Sequence, residues 1–149
     1  KRHLFTYAGE GEYITPGNSR KVVEFRGVRI MLQVCYDLRF PVFVRNRDDY
    51  DMIIYVASWP IARKIAWNTL IRARAIENQC YVAAVNRVGV DQFGVYSGDS
   101  VLISPYGENV VVAEESKVDM VSAELDMDKL NHFREKFPVL DDADTYMYM

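Results

Sequence analysis

The sequence has few of the residues that build disulfide frameworks and metal centres. It contains two cysteines and two histidines in 149 residues. Two cysteines cannot form a framework, so we expect Cys35 and Cys80 to be free thiols in a reducing compartment, with the cytoplasm as the default. His3 and His132 are far apart in the sequence, and the cysteines lack the spacing of paired ligands, so no metal site is predicted.

Charge and hydrophobic runs exclude further classes of partner. The formal net charge is -3 and no basic stripe appears, so we expect no nucleic-acid partner. No apolar run reaches membrane-spanning length and we recognise no signal peptide, so no membrane partner is expected. Gly89 and Gly94 are not followed by the Lys-Ser/Thr pair of a phosphate-binding loop, and no cofactor is implied.

The first residues carry no initiator methionine and no capping or strand signal. The chain therefore reads like the middle of a longer protein. Its hydrophobic content of 50% is enough for a core. We expect a single domain over residues 1–149 whose N-terminal portion is missing.

Strands alternate with helices early in the chain and hairpin strands dominate later, which predicts an α/β fold with a mixed sheet. The predicted strands are 21–25, 28–35, 51–57, 80–85, 100–104, 109–113 and 118–125. Helices are predicted to begin near Pro41, to cover 61–79 and to follow Asp126, with loops at 1–20 and 89–98. Because several strands are continuous apolar runs, we expect them to be covered on both faces, which requires a second sheet or layer.

The helix predicted over 61–79 shows the clearest helical spacing. Its apolar residues at that spacing are Ile65, Trp67, Leu70, Ala73 and Ile76. We expect these side chains to face the core and the arginines to lie on the other side.

Cys35 is the most informative residue of the chain. It ends an apolar strand, and polar residues and Pro41 follow at once. An abrupt turn at a strand end lifts a side chain into a pocket, where the surroundings set how much of the attacking thiolate exists. Cys35 is therefore either a nucleophile or a structural thiol of the kind common on apolar strands. Trp59 also follows a strand, whose end should open on the same rim.

Five short stretches occur in an order that resembles the nitrilase superfamily of carbon–nitrogen hydrolases. They are Lys-Arg-His-Leu-Phe at 1–5, Gln-Val-Cys-Tyr-Asp-Leu-Arg-Phe-Pro at 33–41, Ser-Trp-Pro at 58–60, Arg-Ala-Arg-Ala-Ile-Glu-Asn at 72–78 and Gly-Asp-Ser at 98–100. The resemblance runs from residue 1 to the segment 134–138. Within the superfamily the chain is most similar to the bacterial omega-amidases, which hydrolyse 2-oxoglutaramate and 2-oxosuccinamate.

The resemblance implies an α-β-β-α sandwich, of which this chain would be the C-terminal part, and a catalytic set of Glu, Lys and Cys. Cys35 matches the nucleophile, Lys1 the lysine, and Glu12 a further glutamate of the family. The glutamate of the catalytic set belongs to a region upstream of this chain. The backbone N–H of Tyr36 is expected to help bind the oxyanion of the tetrahedral intermediate.

An amidase for 2-oxo acid amides must also bind the carboxylate at the far end of its small substrate. The cations available after Ser-Trp-Pro are Arg63 and Lys64. We expect one of them, with Trp59 and Tyr7, to shape this end of the site.

The resemblance also implies a homodimer that packs helix to helix and uses the C-terminal segment, including the aromatic tail at 146–149. Two alternatives remain at this stage. The activity could be that of a carbamoylase, an aliphatic amidase or a nitrilase. The chain could also be an inert fragment that lacks the general base, and we expect the isolated segment to be insoluble or inactive.

Overall fold

The structure is a computed structural model, and it describes residues 1–145. The tail contact predicted at 146–149 therefore lies outside the described residues. The strands are β1 Val22–Phe25, β2 Val28–Val34, β3 Met52–Ala57, β4 Tyr81–Asn86, β5 Val88–Asp91, β6 Gly94–Ser97, β7 Val101–Ile103 and β8 Asn109–Val112. The α-helices are α1 Pro41–Val44, α2 Lys64–Glu77 and α3 Met127–Lys136, and 3₁₀ turns cover Thr6–Ala8, Glu10–Glu12, Cys35–Arg39 and Ile61–Arg63. Within residues 1–145, no helix combines the length and the apolar character that a membrane crossing requires.

Six strands form one mixed sheet in the order β1-β2-β3-β4-β7-β8. The central strands β2, β3 and β4 are parallel, and the outer pairs are antiparallel. The two parallel crossovers contain α1 and α2, which makes each of them a βαβ unit. The carboxyl ends of the three parallel strands consequently meet at one edge of the sheet, where open α/β sheets bind ligands. The sequence prediction of an α/β fold with a mixed sheet is confirmed.

One face of this sheet is fully covered. Met31, Ile53, Val82 and Ile103 follow one another across β2, β3, β4 and β7 in register, and each is 0% exposed. They share a single core with apolar residues of the helical layer, namely Phe43, Val44, Trp67, Ile71 and Ala75. Burial of these side chains is the main force that fixes α2 against the sheet.

The opposite face of the sheet is apolar but exposed among the described residues. Val56 and Val85 are paired across β3 and β4, and they are 48% and 52% exposed. Leu32 on β2 is 42% exposed. Strands that read as continuous apolar runs are therefore covered by helices on one face only. The second sheet that the sequence requires stays a prediction, and residues 1–145 supply one sheet and one helical layer of the predicted sandwich.

Two segments differ from the sequence prediction. The predicted loop at 89–98 is mostly the two-stranded hairpin β5–β6, in which Val90 pairs with Val95. Its tight turn carries no Asn-Gly or Asp-Gly pair, so the usual hairpin signal was missing. The strand predicted at 118–125 is irregular chain, in which Val118 and Met120 are more than 90% exposed. The alternating apolar residues of this segment pair with no strand.

Helix α2 faces the core at Trp67 and Leu70, as its spacing predicted, but not at two other predicted positions. Ile65 is 84% exposed and Ile76 is 51% exposed, whereas Arg74 is buried. The two terminal nitrogens of Arg74 have partners there, because one donates to the carbonyl of Leu38 at 2.6 Å and the other pairs with Glu77 at 2.9 Å. A buried arginine with such partners does not follow the rule that charged residues mark the solvent face.

Helix α3 begins as predicted. The side chain of Asp126 accepts a hydrogen bond from the N–H of Lys129 at 2.8 Å, which caps the helix. Arg134 of this helix reaches the sheet and pairs with the buried Asp51, just before β3, at 2.9 Å. This contact lies at the amino ends of the parallel strands, away from the edge where Cys35 lies.

Candidate active site

Cys35 lies on a strained turn at the carboxyl end of β2. Val34 is still extended, with φ -127° and ψ 112°, and Cys35 has a φ of +49°. A non-glycine residue in this left-handed region costs about 1–3 kcal/mol and persists only where the surroundings enforce it. The 3₁₀ turn Cys35–Arg39 follows immediately. The abrupt turn predicted from the sequence is therefore present, and it exposes the thiol, which is only partly buried, at the sheet edge.

The carboxylate of Asp37 closes this turn and ties the first residues of the chain to it. Asp37 is 1% exposed. Its Oδ2 accepts from the N–H of Val34 at 3.2 Å, and its Oδ1 accepts from the N–H groups of Arg2 at 3.1 Å and His3 at 2.8 Å. The Nδ1 of His3 lies 3.0 Å from the same oxygen. The ring of His3 is stacked on Phe40.

Lys1 is paired with Glu10 and not with Glu12. The lysine Nζ lies 2.5 Å from each carboxylate oxygen of Glu10, and the side chain of Lys1 is 10% exposed. The carboxylate of Glu10 also accepts from the N–H of Phe5 at 2.6 Å. Glu12 is exposed, and its carboxyl group lies over Gly9. Among residues 1–145 the carboxylate that holds Lys1 is therefore that of Glu10, and the catalytic role expected of Glu12 stays a prediction.

The surroundings of Glu10 keep its carboxyl group ionised. Partial burial raises its pKa, but the hydrogen bonds from Lys1 and from the N–H of Phe5 together outweigh burial. The net effect is a pKa of Glu10 below the ordinary value of 4.5. A lysine and a carboxylate of opposite charge thus stay paired at neutral pH.

Cys35, Lys1 and Glu10 line one cleft at the carboxyl ends of the parallel strands. Two overlapping cavities of about 410 Å³ and 440 Å³ meet there. The residues that line both cavities are Phe5, Tyr7, Cys35, Ser58, Pro60 and Arg63. Hairpin residues Phe93 and Tyr96 complete one side. The volume suits a small substrate.

Arg63 lies in this cleft with no carboxylate partner among residues 1–145. Its guanidinium stands over the ring of Phe5, 5.5 Å from the centroid. Lys64, the other candidate cation, pairs with Asp99 at 2.6 Å and with Glu115 at 2.8 Å. The hydrogen bonds that Lys64 donates to Asp99 and Glu115 raise its pKa. Of the two cations that the sequence left open, Arg63 alone lines the cavities beside Cys35.

Trp59 forms an apolar wall of the cleft and orients the chain that carries Arg63. Its indole N–H donates to the carbonyl of Arg63 at 2.8 Å, and its backbone N–H donates to the side chain of Asn86 at 2.7 Å. The ring is 4% exposed, and Arg39 stands over it at 5.0 Å. The indole N–H is therefore occupied, and Trp59 can offer a substrate only its ring.

The structure brings Tyr7 and Tyr36 to the cleft in different ways. Tyr7 is 90% exposed and contributes an aromatic rim. Tyr36 is the second residue of the 3₁₀ turn, so its N–H has no partner within that turn and is free to bind an anion. Its ring packs edge-on against Phe40, with the centroids 5.2 Å apart.

Sequence reasoning missed Glu10 and Arg39 as cleft-associated residues. Glu10 lies two residues from the glutamate that was chosen, and a Gly-rich loop gives no periodicity from which to decide between them. Arg39 ends the nucleophile turn, Cys35–Arg39, and lines the cavity, with its guanidinium over Trp59. Cys80 contrasts with Cys35, because it is 0% exposed and burial raises the pKa of its thiol.

Comparisons with known proteins agree with the motif order. The profile of the Carbon-nitrogen hydrolase family matches residues 1–135. Omega-amidase YafV of Yersinia enterocolitica is 51% identical over 150 residues, which cover 100% of this chain and 59% of that protein. The 2-oxoglutaramate amidase of Bacillus subtilis is 36% identical, over 99% of this chain and 58% of that enzyme. The chain thus spans less than two thirds of the length of these relatives.

A solved structure shares the fold. XC1258 from Xanthomonas campestris, a CN-hydrolase superfamily protein with an arsenic adduct in its active site, superposes with a TM-score of 0.95. It is 45% identical, and the match covers 100% of this chain and 59% of that one. The family profile, the relatives and the fold agree with the resemblance seen in the sequence, and the chain belongs to the carbon–nitrogen hydrolase family.

Proposed function

We propose that this chain carries the nucleophile of an amidase that releases ammonia from small anionic amides such as 2-oxoglutaramate or 2-oxosuccinamate. The observation that carries the proposal is one cleft that combines a strained cysteine, a tethered lysine and an arginine that has no carboxylate partner within residues 1–145. Relatives named omega-amidase and 2-oxoglutaramate amidase support the same substrate class. The second activity considered is another reaction of the superfamily, and a substrate panel separates the two.

Cys35 is the proposed nucleophile. Its thiolate attacks the amide carbon, and a carbon–sulfur bond forms as the carbonyl oxygen gains negative charge. The ammonium of Lys1 favours the thiolate and stabilises this oxygen, and the N–H of Tyr36 is the second donor. Losing one such donor costs about 10²–10³ in rate. The carbon–nitrogen bond then breaks, the nitrogen takes a proton and leaves as ammonia, and a thioester remains.

Water completes the reaction in a second step. A general base removes a proton from water, the new hydroxyl adds to the thioester carbon, and the carbon–sulfur bond breaks to release the acid and restore the thiolate. Glu10 is poorly suited to this role because its oxygens already bind Lys1 and the N–H of Phe5. We assign Glu10 to the positioning of Lys1. The resemblance assigns the base to a glutamate upstream of Lys1.

The far end of the cleft is proposed to bind the carboxylate of the substrate. Arg63 is the cation for this task, since Lys64 is neutralised by Asp99 and Glu115. A guanidinium binds a carboxylate through two parallel hydrogen bonds. Trp59 contributes the apolar wall between the two ends and fixes the backbone of Arg63 through its indole N–H. Tyr7 closes the rim.

The experiment compares Arg63→Ala with Lys64→Ala in the full-length protein, on 2-oxoglutaramate and on a neutral amide of similar size. We expect Arg63→Ala to lower kcat/KM for 2-oxoglutaramate about 10-fold to 100-fold, the value of a charged hydrogen bond, and to change the neutral amide little. Lys64→Ala is the matched control and should alter both substrates alike. Equal losses on both amides for Arg63→Ala would remove Arg63 from substrate recognition. Faster release from a neutral amide, a carbamoyl compound or a nitrile by the unaltered protein would favour another activity.

Two features of the whole protein are also proposed. We place it in the cytoplasm because both thiols are free and Cys35 must stay reduced to act. We propose a homodimer with helix α2 at its interface, since Ile61, Ile65 and Ile76 are exposed along this region. Sedimentation of the full-length protein as a monomer would exclude the dimer.

A further inference from the structure

Asp37 joins two parts of the cleft that no regular element connects. The residues before Thr6 lie outside every helix and strand of the described chain. Asp37 fixes this segment through the N–H groups of Arg2 and His3, and it fixes the nucleophile turn through the N–H of Val34. Val34 immediately precedes Cys35, and Arg2 immediately follows Lys1. One buried carboxylate therefore spans the residues next to the proposed nucleophile and next to the proposed lysine.

We propose that Asp37 is a positioning residue that holds the Lys1 ammonium at working distance from the Cys35 thiol. This inference rests on the proposed function and adds a residue to it. Asp37 acts only through the backbone of its neighbours, and it does not line either cavity that Cys35 shares. Its two oxygens accept from the backbone N–H groups of Arg2, His3 and Val34, and the Nδ1 of His3 lies 3.0 Å from one of them.

The charge of Asp37 and its geometry predict opposite effects on Cys35. A carboxylate close to a thiol disfavours the thiolate. If Asp37 acted on Cys35 through its charge alone, removing that charge would make Cys35 react at lower pH. Loss of the tether instead lets Lys1 move away, and Cys35 then reacts at higher pH. The direction of the change therefore separates positioning from simple charge.

The experiment measures the rate of Cys35 alkylation by iodoacetamide against pH in full-length Asp37→Asn, together with kcat and KM. Asparagine keeps the size of the side chain but replaces one acceptor oxygen by a donor NH₂. We expect the pH at which the alkylation rate is half-maximal, the alkylation midpoint, to rise. We expect kcat to fall up to about 100-fold, the loss that a misplacement of about 1 Å can cause, and KM to stay within about threefold. Cys80 is buried and contributes no signal.

Asp51→Asn is the matched control. Asp51 is also a buried carboxylate with several N–H donors, but it lies at the opposite edge of the sheet. It should lower the melting temperature and leave the alkylation profile unchanged. An unchanged alkylation profile for Asp37→Asn, or a lower alkylation midpoint, would overturn the proposal.

A second variant tests the tether if Asp37→Asn is unstable, and the alkylation assay separates the tether from the proposed function. If Asp37→Asn does not fold, His3→Leu removes the ring nitrogen that lies 3.0 Å from Asp37 and keeps an apolar side chain against Phe40. It should raise the midpoint by a smaller amount, and no change would contradict the tether. Alkylation requires no substrate. A raised midpoint in a protein whose unaltered form hydrolyses no amide would therefore support the tether and refute the proposed function instead.

Discussion

Glu10 binds Lys1 through both of its carboxylate oxygens, each 2.5 Å from the lysine Nζ. A lysine side chain has four rotatable bonds and loses much entropy when fixed, so this pairing is what keeps the ammonium inside the cleft. The N–H of Phe5 holds the carboxylate itself in place at 2.6 Å. The position of a charged group near Cys35 is thus set by a loop and not by the sheet.

Replacing Glu10 by glutamine removes the charge of this pair and keeps its size. We expect kcat for the amide to fall about 10-fold to 100-fold, in line with the value of a hydrogen bond between charged groups. Steady-state kinetics of ammonia release by the full-length protein measure it. Glu12→Gln is the control and should behave like the unaltered protein, since Glu12 is exposed. A larger loss for Glu12→Gln than for Glu10→Gln would return the role to Glu12.

Gly17 supports Lys1 from the other side. Its N–H donates to the carbonyl of Lys1 at 2.7 Å, and a Cβ built on Gly17 would lie 3.2 Å from that oxygen. Gly17→Ala therefore pushes the backbone of Lys1, and we expect kcat to fall about 10-fold through misplacement of the ammonium. At Gly11 a Cβ would meet only the Leu4 side chain at 3.8 Å, an ordinary contact. Gly11→Ala should be near normal, and equal kinetics for both variants would argue against the contact.

Stability in acid depends on Asp51, which binds Arg29 and Arg134. Burial raises the pKa of Asp51, but the hydrogen bonds from the two arginines outweigh it and bring the pKa below the ordinary 3.8. A carboxyl whose pKa is lowered on folding stabilises the protein above its unfolded pKa, and the stabilisation is lost as pH falls through the folded one. The melting temperatures of the unaltered protein and Asp51→Asn should differ at neutral pH and converge below pH 3.8. A difference that persists or widens in acid would contradict this assignment.

The parallel strands and the nucleophile turn could be read from the sequence because local chemistry specifies them. Apolar runs ended by polar residues and prolines predicted β2 and β3 almost to the residue. The prediction of a strand at 118–125 was wrong. Alternation of apolar and polar residues is a local signal, whereas a strand also needs a neighbouring strand with which to pair. The core face of α2 was predicted correctly at Trp67 and Leu70 but not at Arg74, because Arg74 finds buried partners that only the folded chain provides.

The candidate site was predictable where a motif fixes a residue and not where a loop brings residues together. Cys35 directly follows β2 and Arg63 lies in the short turn between β3 and α2, so their location at the carboxyl ends of the strands follows from the topology of a parallel sheet. The pairing of Lys1 with Glu10 depends on two 3₁₀ turns in a glycine-containing loop, which leave no period in the sequence. The contacts of Asp37 join residues more than 30 positions apart, and no local pattern encodes them.

The central claim is that Cys35 takes the acyl group of a small anionic amide. The most direct measurement is mass spectrometry of the full-length protein, quenched in acid during turnover of 2-oxoglutaramate, with mapping of the modified peptide. We predict a thioester adduct on Cys35, none on the buried Cys80, and no ammonia release from Cys35→Ala. Turnover by Cys35→Ala, or an adduct on Cys80 alone, would contradict the account.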